Sequence, residues 1–391
     1  MRLAGRRWLS GATVMAASIA LAACSSSSSS TSASSPAGSS STGSAASAGV
    51  AKAQQMVTQL ESTTTTYPVP TAAVSGVAKF TGRTVYYIPL DAHIPGFVVT
   101  AQTMKVALAK AGLKFQECDG QGTPSTIASC VSQAAGAGAA GIVLDAIPFG
   151  MAQNALDGAK AKGVPIVIAD QYTPAGTTSS DQVAYVDGVV DQPSQIAWWL
   201  IAASQGKASA IVAEETDSPS SVTYVQNALP IFKQYCPSCD IQVKQITATE
   251  TNPQLQAAVS SNILADPGVQ YYYTEFEDSL QPTLAGIQQS GKSSSVGLAV
   301  AGGSVDGLGL LKAGQVKAVV AVDQAYAGWA LTDEVLRMMT KSAPVTETFP
   351  SRLFTSENIG SIQVTAAAQA SGDWFGDSSY TSDFAKLWGV G

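Results

Sequence analysis

From Arg83 onward, short unbroken apolar runs alternate with stretches of helical period. Val85-Tyr86-Tyr87-Ile88-Pro89-Leu90 reads as a buried strand, and 97–111 as an amphipathic helix stopped by Gly112. Strand 113–118, helix 126–135, strand 141–144, helix 151–162 and strand 165–169 follow, then Val183-Ala184-Tyr185-Val186. The alternation starts again with helix 196–204, strand 208–213, helix 222–235, strand 241–246, helix 253–264 and strand 269–274. Helix 280–289, strands 296–301 and 316–322, helix 327–339 and a strand near Leu353 complete it. Continuously apolar strands separated by helices are the mark of parallel βαβ units with both sheet faces covered. One sheet with so many strands is improbable at this length, so the pattern predicts an α/β chain of two doubly wound, Rossmann-like lobes. The break between them is expected near 187–193, and helix 327–339 looks able to return to the first lobe.

The first residues follow another pattern. Arg2, Arg6 and Arg7 precede an apolar stretch from Trp8 to about Ala20, which ends at Leu21-Ala22-Ala23-Cys24. That stretch is too short for a permanent membrane span and has the flanks of a signal peptide. It resembles the bacterial lipobox, which implies removal of residues 1–23 and acylation of Cys24. Arg6-Arg7-Trp8-Leu9-Ser10 leaves open whether export is by the general or the twin-arginine route. Residues 25–49 are Ser, Ala, Gly and Thr with one Pro until Val50, a composition that buries no core and predicts a flexible tether over 24–49. A helical pattern over 50–60 and a Pro-punctuated stretch make 50–79 an N-terminal extension.

Composition narrows the partners. The net charge is −7, and the expected signal peptide takes away three arginines and no acid. Only Arg83, Arg337 and Arg352 would remain, with no basic stripe, which disfavours nucleic acid and direct binding to anionic lipid. Besides Cys24 there are Cys118, Cys130, Cys236 and Cys239. An even number in an exported chain favours disulfides, and four cysteines allow three pairings. The local one, 118 with 130 and 236 with 239, is preferred. Cys236-Pro237-Ser238-Cys239 lacks the strand-then-helix setting of a redox pair.

Catalytic and metal signals are weak. His93 is the only histidine, and no Gly-x-Ser-x-Gly elbow offers it a nucleophile, so no enzyme activity, metal or cofactor is expected. Gly302-Gly303-Ser304-Val305-Asp306-Gly307 follows a strand but lacks dinucleotide or Walker spacing, and reads as a strand-to-helix turn. The informative residues stand at the carboxyl ends of strands, where open parallel sheets bind ligands. These are Asp91 with His93, Asp119, Asp145, and Asp170 with Gln171 and Tyr172 in the first half. The second half offers Glu214 with Glu215, Glu275 with Phe276, Gly303 with Ser304, and Asp323 with Gln324. Carboxylates suit hydroxyl-rich ligands because charge-assisted hydrogen bonds are about twice as strong as neutral ones. Phe97 and Phe276 would cover the apolar face of a ring. Any one strand-end acid can equally cap the helix that follows.

Several segments together resemble the type I periplasmic binding proteins, the ribose-like sugar-binding subunits of ABC importers, over roughly 80–357. They are Tyr87-Ile88-Pro89 leading into Pro95-Gly96-Phe97, Gly141-Ile142-Val143-Leu144-Asp145, and Gly163-Val164-Pro165-Ile166-Val167-Ile168-Ala169-Asp170. Val269-Gln270-Tyr271-Tyr272-Tyr273 and Leu353-Phe354-Thr355-Ser356-Glu357-Asn358 are similar too, and Phe384-Ala385-Lys386-Leu387-Trp388-Gly389 is a common ending. The resemblance implies a three-strand hinge, with lobe 1 over 80–187 plus 324–348 and lobe 2 over 188–323 plus 349–391. It places ligand positions on His93, Phe97, Asp145 and Asp170, with Gln324 or Asp323 at the hinge. The family's arginine beside the first-lobe aspartate is Gln171 here, and its second-lobe arginine has become Val225 or Tyr224. Its asparagine is Phe276, and its later aspartate falls on Gly302. Together the two readings select His93, Phe97, Asp145, Asp170, Gln171, Glu214, Tyr224, Phe276, Gly303, Asp323 and Gln324 as candidate ligand-binding residues. The implied protein is a monomeric lipoprotein anchored through Cys24 and facing outside the cytoplasm. It would capture a small polar ligand, a sugar or polyol first, and pass it to an ABC permease and its ATPase. The alternatives are a sensing lipoprotein for a signalling receptor, or a binder of a cationic or aromatic compound such as a nucleoside or amine.

Overall fold

The computed structural model describes residues 40–188, 192–247, 252–343 and 345–390. The expected signal peptide, Cys24, most of the expected tether and residues 189–191 of the expected break lie outside these. No helix of the described residues is long and apolar enough to cross a membrane.

α1 (Ser40–Leu60) starts inside the segment expected to be a free tether. Five alanines between residues 45 and 53 favour helix, the conformation in which alanine loses least. Ala53 is fully buried with Trp199 and Leu200 of the second lobe. The tether is therefore shorter than composition alone suggests.

Lobe 1 holds β1 (Thr84–Pro89), α2 (Pro95–Lys110), β2 (Lys114–Glu117), α3 (Pro124–Gly136), β3 (Gly141–Asp145), α4 (Gln153–Ala161), β4 (Ile166–Ala169) and β5 (Val183–Val186). Its five strands are all parallel, in the order β2-β1-β3-β4-β5. Alternate residues of each strand enter two different cores, as the two-residue period of a strand requires. Val85, Tyr87, Val143 and Val167 face one side, and Tyr86, Ile88, Leu144 and Ile168 the other.

Lobe 2 holds α5 (Gln192–Ala203), β6 (Ser209–Glu215), α6 (Pro219–Tyr235), β7 (Asp240–Ile246), α7 (Asn252–Ala265), β8 (Tyr271–Thr274), α8 (Leu280–Gln289), β9 (Gly297–Gly302), α9 (Val305–Lys312) and β10 (Ala318–Val322). The chain then returns to lobe 1 through α10 (Gln324–Thr340) and comes back to lobe 2 as β11 (Ser351–Thr355). β11 is antiparallel on the edge of a six-stranded sheet ordered β11-β10-β9-β8-β6-β7. Two short helices, α11 (Ala366–Ser371) and α12 (Tyr380–Leu387), end the described chain.

Three crossings thus join the lobes, and the last two touch: the Asp323 amide donates to the Pro350 carbonyl at 2.8 Å. α10 lies against α2, and a side chain at Gly328 would collide with Thr100 and Thr103, so only glycine permits this approach. Residues 349–391 were expected in lobe 2, but Tyr380, Phe384 and Trp388 of the last helical segment belong to the lobe 1 core. Their aromatic faces meet Tyr326 and Trp329 on α10, with the rings of Trp329 and Trp388 stacked at 5.5 Å. The extension binds both lobes. The Glu61 carbonyl accepts from Arg352, the Thr64 amide donates to the Phe375 carbonyl, and the Val74 amide donates to the Leu387 carbonyl.

Both disulfides have the preferred local pairing, with Cα separations of 5.8 Å for Cys118–Cys130 and 5.3 Å for Cys236–Cys239. The first joins the end of β2 to α3, and the second closes the turn from α6 to β7.

Candidate functional site

The site begins at the carboxyl ends of β3 and β4. Asp145 ends β3 and Asp170 follows β4, and they are only 1% and 8% exposed. Ala146 and Asp170 both have left-handed backbones, φ 57° and 54°, which turn the chain sharply at adjacent strand tips. Such conformations cost a non-glycine residue roughly 1–2 kcal/mol and concentrate at functional sites. The Tyr87 hydroxyl donates to Asp145 Oδ2 at 2.5 Å. β1 and β3 are parallel with Pro89 opposite Asp145, so Tyr87 is its diagonal neighbour on the same face. Burial pushes both carboxyls above the usual range, to about 6 for Asp145 and further for Asp170, whose rise Asp145 reinforces. Two buried carboxyls in contact cannot both ionise cheaply, so each makes the other harder to ionise. Asp145 Oδ1 and Asp170 Oδ1 are buried without a hydrogen-bond partner.

Lobe 2 meets this edge through the first turns of α6. Ser218 caps that helix, and its hydroxyl and that of Ser220 donate to Gln171 Oε1 at 3.4 and 2.9 Å. The Tyr172 amide donates to Ser220 Oγ at 3.0 Å. Tyr224 donates to Asp187 at 3.0 Å and approaches the Asp170 carbonyl at 3.4 Å, while its ring lies 4.8 Å from that of Tyr172. The two lobes are therefore held together at the strand tips by direct hydrogen bonds.

A second acid pair stands at the tips of lobe 2. The Glu215 amide donates to Glu275 Oε2 at 3.0 Å, and Ser279 donates to Glu215 Oε1 at 3.0 Å. Burial raises these carboxyls to about 8 for Glu215 and about 9 for Glu275, and Glu275 Oε1 is buried without a partner. The ion pairs of the described residues involve Asp91, Asp119, Asp157, Asp333 and Asp383. Among those residues, neither tip pair has a basic side chain in ion-pair contact.

Of the residues selected from sequence, Asp145, Asp170, Gln171 and Tyr224 converge here. The others are placed differently. His93 is exposed and takes Asp91 at 2.9 Å, a bond that raises its pKa. With Asp119 it forms a surface group outside the buried pair. Glu214 points to the opposite face of β6, where Gln226 and Gln245 donate to it, and its neighbour Glu215 occupies the tip instead. Asp323 is fully buried, caps α10 through the Tyr326 amide at 3.0 Å and accepts from Tyr67 at 3.3 Å. Gln324 Oε1 accepts from Thr100 at 2.7 Å, binding α10 to α2. Gly303, at φ 89°, is pressed against Ala321, and Ser304 beside it caps α9. Phe97 is buried in the first turn of α2, and Phe276 is half-buried just before Glu277. Tyr87, Asp187, Ser218, Ser220 and the Glu215–Glu275 pair were not selected. Strand parity carried a signal for Tyr87 and Glu215; nothing local marked the serines.

Comparison with known proteins agrees with this architecture. A family model described as periplasmic binding protein domain matches residues 85–342. No curated protein sequence matches the chain. Among solved structures, the 5-methylthioribose transporter solute binding protein of Thermotoga lettingae, in complex with 5-methylthioribose, aligns with a TM-score of 0.63 at 14% identity, covering 79% of this chain and 98% of that one. A glucose-galactose binding protein from Geobacillus stearothermophilus gives 0.63 at 15%, covering 71% and 98%. A Caulobacter myo-inositol binding protein bound to myo-inositol gives 0.62 at 20%, covering 75% and 98%. With two parallel-sheet lobes, three crossings and a family match over most of the folded chain, this protein belongs to the type I periplasmic binding protein family.

Proposed function

We propose that the chain is an extracytoplasmic solute-binding lipoprotein that captures a small polar ligand between its lobes and delivers it to an ABC permease. The observation that carries this reading is the Asp145–Asp170 pair, buried at the strand tips with unpartnered oxygens under the first turns of α6. Buried polar atoms are normally satisfied, and each one left alone costs about 1–3 kcal/mol, so acceptors set at a lobe–lobe boundary suit a hydroxyl-rich guest. The sugar and polyol binders of the same fold support that ligand class. A ligand bridging the lobes would favour the closed arrangement by its differential affinity for it. The lobe 1 to lobe 2 division, the lipid on Cys24 and the transporter partners belong to the same reading.

The test is ligand-induced thermal stabilisation across sugars, polyols, nucleosides and amines. Asp170→Asn is expected to abolish the shift given by any hit while the unliganded melting temperature moves little. Asparagine tolerates the left-handed backbone better than alanine does. An unchanged ligand shift in that variant removes Asp170 from the site. For the anchor, Cys24→Ser is expected to leave ligand binding intact and move the protein from the membrane fraction to the soluble one. Continued membrane association of that variant argues against lipidation.

A further inference from the structure

The chemistry around the buried pair narrows the ligand further, provided that the capture reading above is right. Asp145 Oδ1 and Asp170 Oδ1 are both buried and both lack a hydrogen-bond partner. The ionisable groups facing them from neighbouring elements are Tyr87 on β1, Asp187 after β5 and Tyr224 on α6. Every one is acidic or a phenol. Lobe 2 repeats the motif with Glu215 and Glu275, again without a basic side chain in ion-pair contact among the described residues.

We infer that the captured ligand carries a positively charged nitrogen, a protonated amine or a quaternary ammonium, seated against Asp145 and Asp170.

Three features favour a cation over a neutral polyol. An ammonium offers donors, or a spread positive charge, to both carboxylates at once. Its charge also stabilises the ionised form of both carboxyls, which a neutral hydroxyl does only weakly. Inside a closed cleft of low dielectric that difference is larger than in water. The rings of Tyr172 and Tyr224 stand 4.8 Å apart beside the Asp170 backbone, and tyrosine faces attract cations. The proton balance is simple. A cation favours the ionised form of both buried carboxyls, so a proton held by the unliganded pair leaves to solvent when it binds. A neutral ligand leaves the proton where it is.

The experiment uses the full chain in detergent and matched probes: glucosamine against glucose and N-acetylglucosamine, and choline against its neutral isostere 3,3-dimethyl-1-butanol. Thermal shift and small-angle scattering report capture. Calorimetry in buffers of different ionisation enthalpy reports protons. The expected result is that a cationic probe binds about tenfold or more tightly than its neutral twin, with protons released on binding. Preference and proton release should both be lost in Asp145→Asn and Asp170→Asn, with unchanged circular dichroism as the control for folding. If neutral twins bind as tightly, raise the melting temperature and release no proton, the charge inference falls and capture stands. If neither set stabilises or compacts the protein at millimolar concentration, both fall.

Discussion

Between pH 5 and pH 8 the unliganded protein is expected to lose stability as the pH rises, most steeply at the acid end and by about 3 kcal/mol per pH unit at the alkaline end. The sign follows from which state keeps its protons. An unfolded carboxyl releases its proton near pH 4. Burial lifts the folded values to about 6 for Asp145, 7 for Asp323 and Glu334, 8 for Glu215, 9 for Glu275 and 10 for Glu347. Between the unfolded and folded values the native state binds more protons than the unfolded one, so raising the pH favours unfolding. Each group that keeps its proton contributes about 1.4 kcal/mol per pH unit, and Glu275 and Glu347 alone keep theirs through the whole window. Asp91 and Asp377 are shifted the other way, but both are exposed and titrate below this range. The effect is large beside a typical net stability of about 5–15 kcal/mol. Urea midpoints measured at half-unit steps from pH 5 to 8 check it, and a flat or rising profile would show that these acids are solvated. A cationic ligand bound at the Asp145–Asp170 pair should flatten the slope.

Much of the architecture could be read along the chain, for identifiable reasons. The runs 141–144 and 166–169 are too apolar for any setting except a sheet covered on both faces, and they became β3 and β4. Helix ends were marked by glycine or proline. The difficulties came where the decisive contact lay far away in sequence. Residues 40–49 have a tether's composition, but their alanines also suit a helix, and the close approach of Gly49 to Tyr235, with Ala53 buried in the lobe 2 core, decides between the two. The apolar positions of the last helical segment, Phe384 and Trp388, fit any apolar face, and only the rings of Tyr326 and Trp329 on α10 fix them to lobe 1. At the site, topology located the strand tips, whereas parity chose the residue. Glu214 and Glu215 are adjacent, so a shift of one position exchanges a face satisfied by Gln226 for the lobe boundary. Asp323 and Gln324 looked equally available in sequence; Tyr67 and Thr100, more than 220 residues away, bind them to the hinge.

Replacing Arg337 with methionine is expected to cost about 3–5 kcal/mol, because a buried carboxylate is left without its partner. Arg337 is 1% exposed and Asp333 is fully buried. The guanidinium donates through Nε to Asp333 at 2.5 Å, through Nη1 to the Ala343 carbonyl at 3.3 Å, and through Nη2 to the Ala72 carbonyl at 2.6 Å. Asp333 also accepts from Trp388 Nε1 at 2.6 Å. One ion pair therefore joins α10, the last crossing, the N-terminal extension and the end of the chain. Urea unfolding measures the loss. The double variant Arg337→Met with Asp333→Asn is expected to recover part of it, since the uncompensated charge has gone. A loss below about 1 kcal/mol in the single variant would mean that water reaches Asp333. The geometry also predicts where loosening shows first. Val74 and Val77 stand in the lobe 1 core beside α10, held on one side by the Arg337 bond to Ala72 and on the other by Leu387. Limited proteolysis of Arg337→Met should cut within 62–79 well before it cuts either lobe. A domain trimmed to begin at residue 80 should show the same weakness, because lobe 1 is completed by the extension and by α12.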